Sequence, residues 1–351
     1  MDKAHTAERS PADASPVDDA IGRFGKIYQA LEPGSRWWND SAWLRFSAQA
    51  AVMGTASPSD SARAIEAAAE ALYRHAHWYD ALASPLNLVV AATLVQTSDT
   101  PEAFTAEVAS ANRLLRNAGF HIVGSPLIKT ILTMRVLAGG TQATAPVVER
   151  MHQIYAKMKE NHWWLTGRGA VPVCALLASI AGNPEEISLA VDVVYQRLND
   201  LHLRAGRQLL TAAHVLLLSG LPGTQATDRF IAIAKLLLGK SSMILQSDYL
   251  GLALLSLLDH EPDQVVGRLG KTMEALADLP PLQFSEVNSS IAADLVFLDL
   301  MGVDAQLQPF SEPDDLQRVK SLIRLQLAAS LLFVEVPSIS AVEGGATRWQ
   351  A

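Results

Sequence analysis

Apolar residues along this chain fall into two alternating patterns. In one kind of segment they recur at intervals of three and four, one face of an α-helix, with charge on the other face; VDDAIGRFGKIYQAL, PEAFTAEVASANRLLRNA and PDQVVGRLGKTMEALAD are of this kind. The other kind is apolar nearly throughout, as in SPLNLVVAATLVQT from Ser84 or SDYLGLALLSLLD from Ser247. Such segments start at Ser41, Ser84, Ser125, Thr166, Gly206, Ser247 and Ser285, about 38 to 43 residues apart. That spacing fits two helices and two short turns. The pattern predicts an all-α protein of about seven helical hairpins of roughly 41 residues, each an amphipathic helix A followed by an apolar helix B.

A helix that is apolar all round has to be covered on most sides, so B helices are expected inside and A helices outside. Two architectures satisfy that layering: an (α/α) toroid and a strongly curved α-solenoid. Ser, Thr or Gly at the start of each B segment is expected to cap it, and Pro85 and Pro126 fit the first helical position. A last pattern, Phe310 to Val336, predicts a final helix over the last hairpin. The remainder reads as flexible tails over 1–16 and 337–351, leaving one helical-repeat domain over 17–336.

Composition narrows the class. Of 351 residues, 49% are hydrophobic and 18% charged, too apolar for a disordered chain. The net charge of −8 and the lack of any Lys/Arg run argue against a nucleic-acid partner. Mean hydropathy of +0.16 prompts a search for a membrane span, but charge or glycine interrupts every apolar run. The opening residues have no apolar stretch behind their charges, and Cys174 is the sole cysteine; both lead to a cytoplasmic expectation.

Three stretches resemble a known family: NRLLRNAGFHIVGSPLIKTILTMRVLA (112–138), IYAKMKENHWWLTGRGAVPVCALLA (154–178) and VYQRLNDLHLRAGRQLLTAAHVLLLSG (194–220). It is a bacterial, all-helical family of unknown function. Its most specific element is the tyrosine-bearing helix ending in Lys-x-x-His, followed by aromatic-Leu-Thr-Gly. The resemblance implies an all-helical fold and a bacterial source, and no activity, cofactor or catalytic residue. Acidic residues follow the Thr-Ser/Gly pair in that family, whereas this chain has Arg168.

Candidate chemistry gathers at the A-to-B turns, which share one end of such an array. Trp37, Trp38, Trp78, Trp163 and Trp164 lie in or beside them, with Tyr79, Phe120, His77, His121, His162 and His202. Two readings stand: the aromatics staple neighbouring hairpins, or they line a pocket. One turn into the B segments, Arg45, Asn87, Lys129, Arg168, Arg207, Gln208, Asp248 and Asn288 recur at similar depth. They are either a solvated rim or, with the converging helix N-termini, a place for an anionic ligand. The candidate ligand-binding set is therefore Trp37, Trp38, Arg45, Trp78, His121, Lys129, His162, Trp163, Arg168 and Asp248.

No His-Glu-x-x-His, Cys-x-x-Cys, Gly-x-Ser-x-Gly or phosphate-loop motif occurs, so neither a metal nor a cofactor is expected. His214 and Cys174 lie inside apolar B segments and read as core residues. Asp294 and Asp299, five apart on one helix, point about 140° away from each other and form no acid pair. Asp40, Asp80 and Asp248 at the turn end are the alternative carboxylates. The leading expectation is a non-enzymatic binding or scaffold protein for a protein, peptide or small-molecule partner. The competing one is an (α/α)-toroid hydrolase or lyase acting on a sugar-like or anionic substrate through Asp acid/base chemistry.

Overall fold

The computed structural model describes residues 16–32, 41–54, 56–76, 81–140, 142–161, 167–220, 223–239, 244–279, 288–301 and 313–332. The two tails expected at 1–16 and 337–351 lie outside these, save for Pro16, the first residue of α1. Among the described residues the secondary structure is helical, without strands.

The amphipathic segments form α1 (Pro16–Leu31), α3 (Pro58–His75), α5 (Pro101–Asn117), α7 (Ala145–Asn161), α9 (Pro184–Asn199), α11 (Thr224–Gly239) and α13 (Pro262–Ala277). The apolar segments form α2 (Ser41–Ala51), α4 (Leu86–Gln96), α6 (Ser125–Leu137), α8 (Val171–Leu177), α10 (Arg207–Leu216), α12 (Tyr249–Leu255) and α14 (Asn288–Leu300). A final helix, α15, spans Pro313–Ser330.

Burial follows the two patterns. In α5 the covered residues are Phe104, Glu107, Ala111 and Leu115, a single stripe. In α4 every residue from Leu86 to Leu94 is covered, and α8 and α12 are buried along their whole length. Each odd-numbered helix up to α13 packs against the even-numbered helix after it, and each up to α11 against the next odd one. The even helices pack on one another in the same order, except that α4 and α6 barely touch. The last pair also meets the first: α1 packs against α13 and α14, and α14 against α2. Alternating layers of this kind let the apolar helices supply the core while the amphipathic ones face water.

Small residues set the inner spacing. A Cβ on Gly251 of α12 would lie 2.6 Å from the Cβ of Ala293 on α14, so those helices approach closer than any other residue allows.

A recurring device ties the two layers together. From the second turn of α1, Arg23 donates through Nε to the Val52 carbonyl and through Nη2 to that of Ala56, both at 2.7 Å. In α7, Arg150 donates to the carbonyls of Ala178 (3.1 Å), Ile180 (2.5 Å) and Gly182 (2.8 Å). Arg229 of α11 donates to the Ser256 carbonyl at 2.8 Å, and Arg268 of α13 pairs with Asp299 at 2.9 Å. Each arginine reaches the C-terminal end of the following inner helix, where carbonyls lack intrahelical partners and the helix dipole is negative.

The third hairpin inverts the signs. There Glu107 of α5 receives Arg135 of α6, whose guanidinium also forks onto Asp99, Nη2 to Oδ1 at 2.7 Å. The other Glu107 oxygen accepts the Ala143 amide at 2.6 Å. The two carboxylates hold the Arg135 proton more firmly than usual, as an acidic cage of this kind must.

Two expectations are corrected. Side-chain caps stand on the outer helices, at Ser57, Thr100 and Asn183, and at α4 the Ser84 hydroxyl accepts the Leu86 amide at 3.3 Å, while the N-caps of α6, α8, α10 and α12 make no side-chain bond. Three of those inner helices enter through a 3-10 turn, at Ala81–Ala83, Arg168–Ala170 and Gln246–Asp248, and α6 and α10 enter through positive-φ Gly124 and Gly206. Tight-turn bonds such as Asn87 N to Ser84 O (3.0 Å) take amides that a cap would satisfy. Pro85 accordingly stands one residue outside α4, whereas Pro126 lies in the first turn of α6. The second correction concerns α15, which reaches well beyond the last hairpin and packs chiefly against α6.

Candidate functional site

The turn-end set divides. Trp37, Trp38, Trp78, His162 and Trp163, together with Asp40 and Asp80, lie outside the described residues. Of the rest, Arg45 is buried beside the Tyr28 phenol, Lys129 and Asp248 are half-buried, and His121 and Arg168 are exposed. Asp248 is committed to the backbone: its Oδ2 accepts the Leu245 amide at 2.7 Å, the role of a cap. Aromatic stapling is visible where the turns are described. Phe120 is buried edge-on against Tyr155 (5.4 Å between centroids) and His152 (5.6 Å) of α7. Likewise the Tyr249 phenol accepts the Arg204 amide at 2.9 Å, tying one turn to the next hairpin.

Cys174 and His214 are both core residues. Burial pushes the Cys174 thiol well above its ordinary range, so it is an inert thiol. Among the described residues no group of three His, Cys, Asp or Glu side chains could hold a metal ion, and no helix is long and apolar enough to cross a membrane.

The unusual chemistry lies deeper, at Asp294, in the middle of α14. Its carboxyl is wholly enclosed, and burial pushes its pKa up to about 7 against hydrogen bonds that pull the other way. Gln49 of α2 donates Nε2 to Oδ2, Ser330 Oγ of α15 lies 3.4 Å from both carboxyl oxygens, and Gln326 of α15 contributes a further bond. Carboxamides present both a donor and an acceptor, so this cage accommodates the acid in either protonation state. Asp299, five residues on, faces away and pairs with Arg268, as the helical spacing requires.

Two of Asp294's three partners thus come from α15. Its residues Gln326 to Ser330, with Leu331 just after it, are buried consecutively, more than a full turn, which only a helix enclosed on all sides can achieve. Arg324, just before, lies over the far end of α6: a Cβ on Gly139 would sit 3.0 Å from its guanidinium. Beyond it Leu327, Ser330 and Leu331 border a cleft with Phe46, Gln49 and Ala50 of α2 and Val89 and Thr93 of α4. At about 20 Å³ the cleft has room for a water molecule and not for a metabolite.

Sequence reasoning weighed Asp294 only as half of an acid pair and passed over Gln49, Gln326 and Ser330. The legible signals were a carboxylate in α14 and a glutamine in α2, each among mostly apolar neighbours. Nothing local shows that they share a site, because Gln49 and Asp294 are 245 residues apart.

No curated protein and no solved structure matches the chain. The profile of one family, described as a protein of unknown function (DUF4003), matches residues 27–326, from α1 to the middle of α15. The chain belongs to that family.

Proposed function

We propose that this protein is a non-enzymatic scaffold of the cell interior, a closed ring of seven helical hairpins that binds a partner protein or peptide. The closure reading rests on the packing of α1 against α13 and α14 and of α14 against α2. The observation that carries the functional reading is the enclosure of α15: Gln326 to Leu331 are buried, and the cleft described beside them is water-sized. In a closed ring that stretch would stand where a toroidal fold places a small substrate. Surface available to a partner is then the outer layer and the rims, as in other helical arrays.

A thermal-shift screen of sugars, nucleotides and organic anions tests this. A ligand at 100 times its dissociation constant stabilises by about 2.7 kcal/mol, so a small-molecule site gives a clear shift. A flat screen is expected, and a saturable shift with any of these classes overturns the reading.

One observation favours a second reading, the toroid hydrolase or lyase: Asp294 is an enclosed carboxyl whose pKa of about 7 suits a general acid. That reading needs α15 to leave, and turnover abolished in Asp294→Asn would establish it.

A further inference from the structure

Charge is unevenly distributed along this chain. From Asn112 near the end of α5 to Leu216 at the end of α10 it carries eleven Lys and Arg against six Asp and Glu, a net +5. The remainder carries seventeen against thirty, a net −13. Hairpins three to five are thus cationic in an anionic molecule, and their free cations collect at the A-to-B turns. Arg113 and Arg116 end α5, Lys159 ends α7, Arg168 opens the turn into α8, and Arg204 and Arg207 stand at the entry of α10. All six are exposed, and none forms an ion pair with another described residue. Elsewhere cations serve the fold: Arg23, Arg150, Arg229 and Arg268 clamp inner helices, and Arg135 is caged. Of the acids in the cationic span, Glu149, Glu185 and Glu186 belong to the starts of α7 and α9, and Glu160 is held by Lys157 at 3.1 Å.

The three turns adjoin. Phe120 of the third turn packs on Tyr155 of α7, which lies within reach of the Arg168 charge. Beyond it α7 packs on α9 and α8 on α10. Packed helices lie about 8–10 Å apart, so three hairpins present these cations over roughly 20 Å. The entries of α6 and α10, which no side chain caps, add the positive ends of two helix dipoles to the same edge.

We propose that the turn edge of hairpins three to five is a docking surface for an extended acidic segment of a partner protein, a run of about six to eight residues rich in Asp and Glu. An extended chain advances about 3.3 Å per residue, so such a run matches the length of the patch. Arginine holds carboxylates in bidentate pairs, which suits the five arginines among the six cations. The anionic remainder of the molecule confines the contact to a short segment, because a long polyanion such as a nucleic acid runs off the patch onto repelling charge. A small anion reaches only one or two of these side chains and lacks the multivalency of the segment, in keeping with a flat small-molecule screen. This inference rests on the scaffold reading and names its partner's chemistry.

Fluorescence anisotropy with the full chain and a labelled ten-residue glutamate peptide tests it. Saturable binding is expected, weakening as NaCl is raised. Arg116→Glu with Arg168→Glu and Arg204→Glu is expected to weaken binding at least tenfold. Lys26→Glu with Lys235→Glu and Lys271→Glu makes an equal change in net charge at exposed positions of α1, α11 and α13, and is expected to leave binding within about twofold. Glutamine at the same three arginines decides should the reversed chain not fold, with a loss of about fivefold expected. The proposal is overturned by the absence of saturable binding, by undiminished binding to the arginine variants, by equal loss in the lysine variant, or by tighter binding of a ten-nucleotide oligothymidylate than of the peptide. A flat peptide titration beside a flat ligand screen removes this surface and leaves the scaffold reading. A small-molecule shift beside peptide binding does the reverse, so the two failures are distinguishable.

Discussion

Asp294 couples the interior to pH. Unfolded, its carboxyl titrates near 3.8; folded, near about 7. Between those values the folded chain keeps a proton that the unfolded chain has released. Its contribution is therefore full below pH ~4, falls as the pH rises towards ~7, and is flat above, a swing of roughly 4 kcal/mol. Urea unfolding at pH 5 and 8 is expected to show native protein losing stability relative to Asp294→Asn, whose neutral amide removes that slope. Arg135 behaves differently, because its two carboxylates neutralise a buried cation. Glu107→Ala leaves that cation short of a partner and strands the Ala143 amide, a loss expected at about 3–5 kcal/mol in denaturant midpoints. At Gly251 even a methyl group collides with Ala293, so Gly251→Ala is expected to lower Tm although alanine is the better helix former by about 1 kcal/mol. Of these residues, only the acid in an apolar segment was noticeable beforehand. Burial state, partners and close approach belong to neighbours far along the chain.

At the scale of the element, periodicity was enough to read the helices. A stripe such as Phe104, Ala111 and Leu115 fixes which face of α5 is covered, and the unbroken run of α4 fixes an inside position, whatever the tertiary arrangement. The ends of the elements were less legible. Short polar residues before the inner helices looked like caps, yet 3-10 turns and positive-φ glycines satisfy those amides, a choice made by how the chain enters from the preceding turn. The arginine clamps were also missed, although the signal is there: Arg23, Arg150 and Arg229 stand 29, 28 and 27 residues before Val52, Ala178 and Ser256. Arg150→Met keeps the stem of the side chain and deletes three bonds to carbonyls at the end of α8. It is expected to cost about 2 kcal/mol and to quicken hydrogen exchange in α8 before other helices.

Across the whole molecule, contact between the first and last hairpins predicts a particular kind of cooperativity. An open array frays from its ends, since terminal units have one neighbour each. The closed ring proposed on the packing of α1 against α13 and α14 would have no such end. Hydrogen exchange of α1 and α14 is accordingly expected to match that of α8 and α10, with one sharp transition in urea; early exchange confined to α1 and α2 would favour an open solenoid. The sequence by itself determined the helical class, the alternation of amphipathic and apolar helices, and the separation of inside from outside. Those properties follow from side-chain periodicity and apolar burial, which are local and need no knowledge of neighbours. Tertiary structure alone decided that α15 packs against α6, that Gln49 meets Asp294, and that, among the described residues, the most perturbed carboxylic acid lies in the interior. These depend on which surfaces meet across hundreds of residues, and an apolar helix carries no mark of which other apolar helix will cover it.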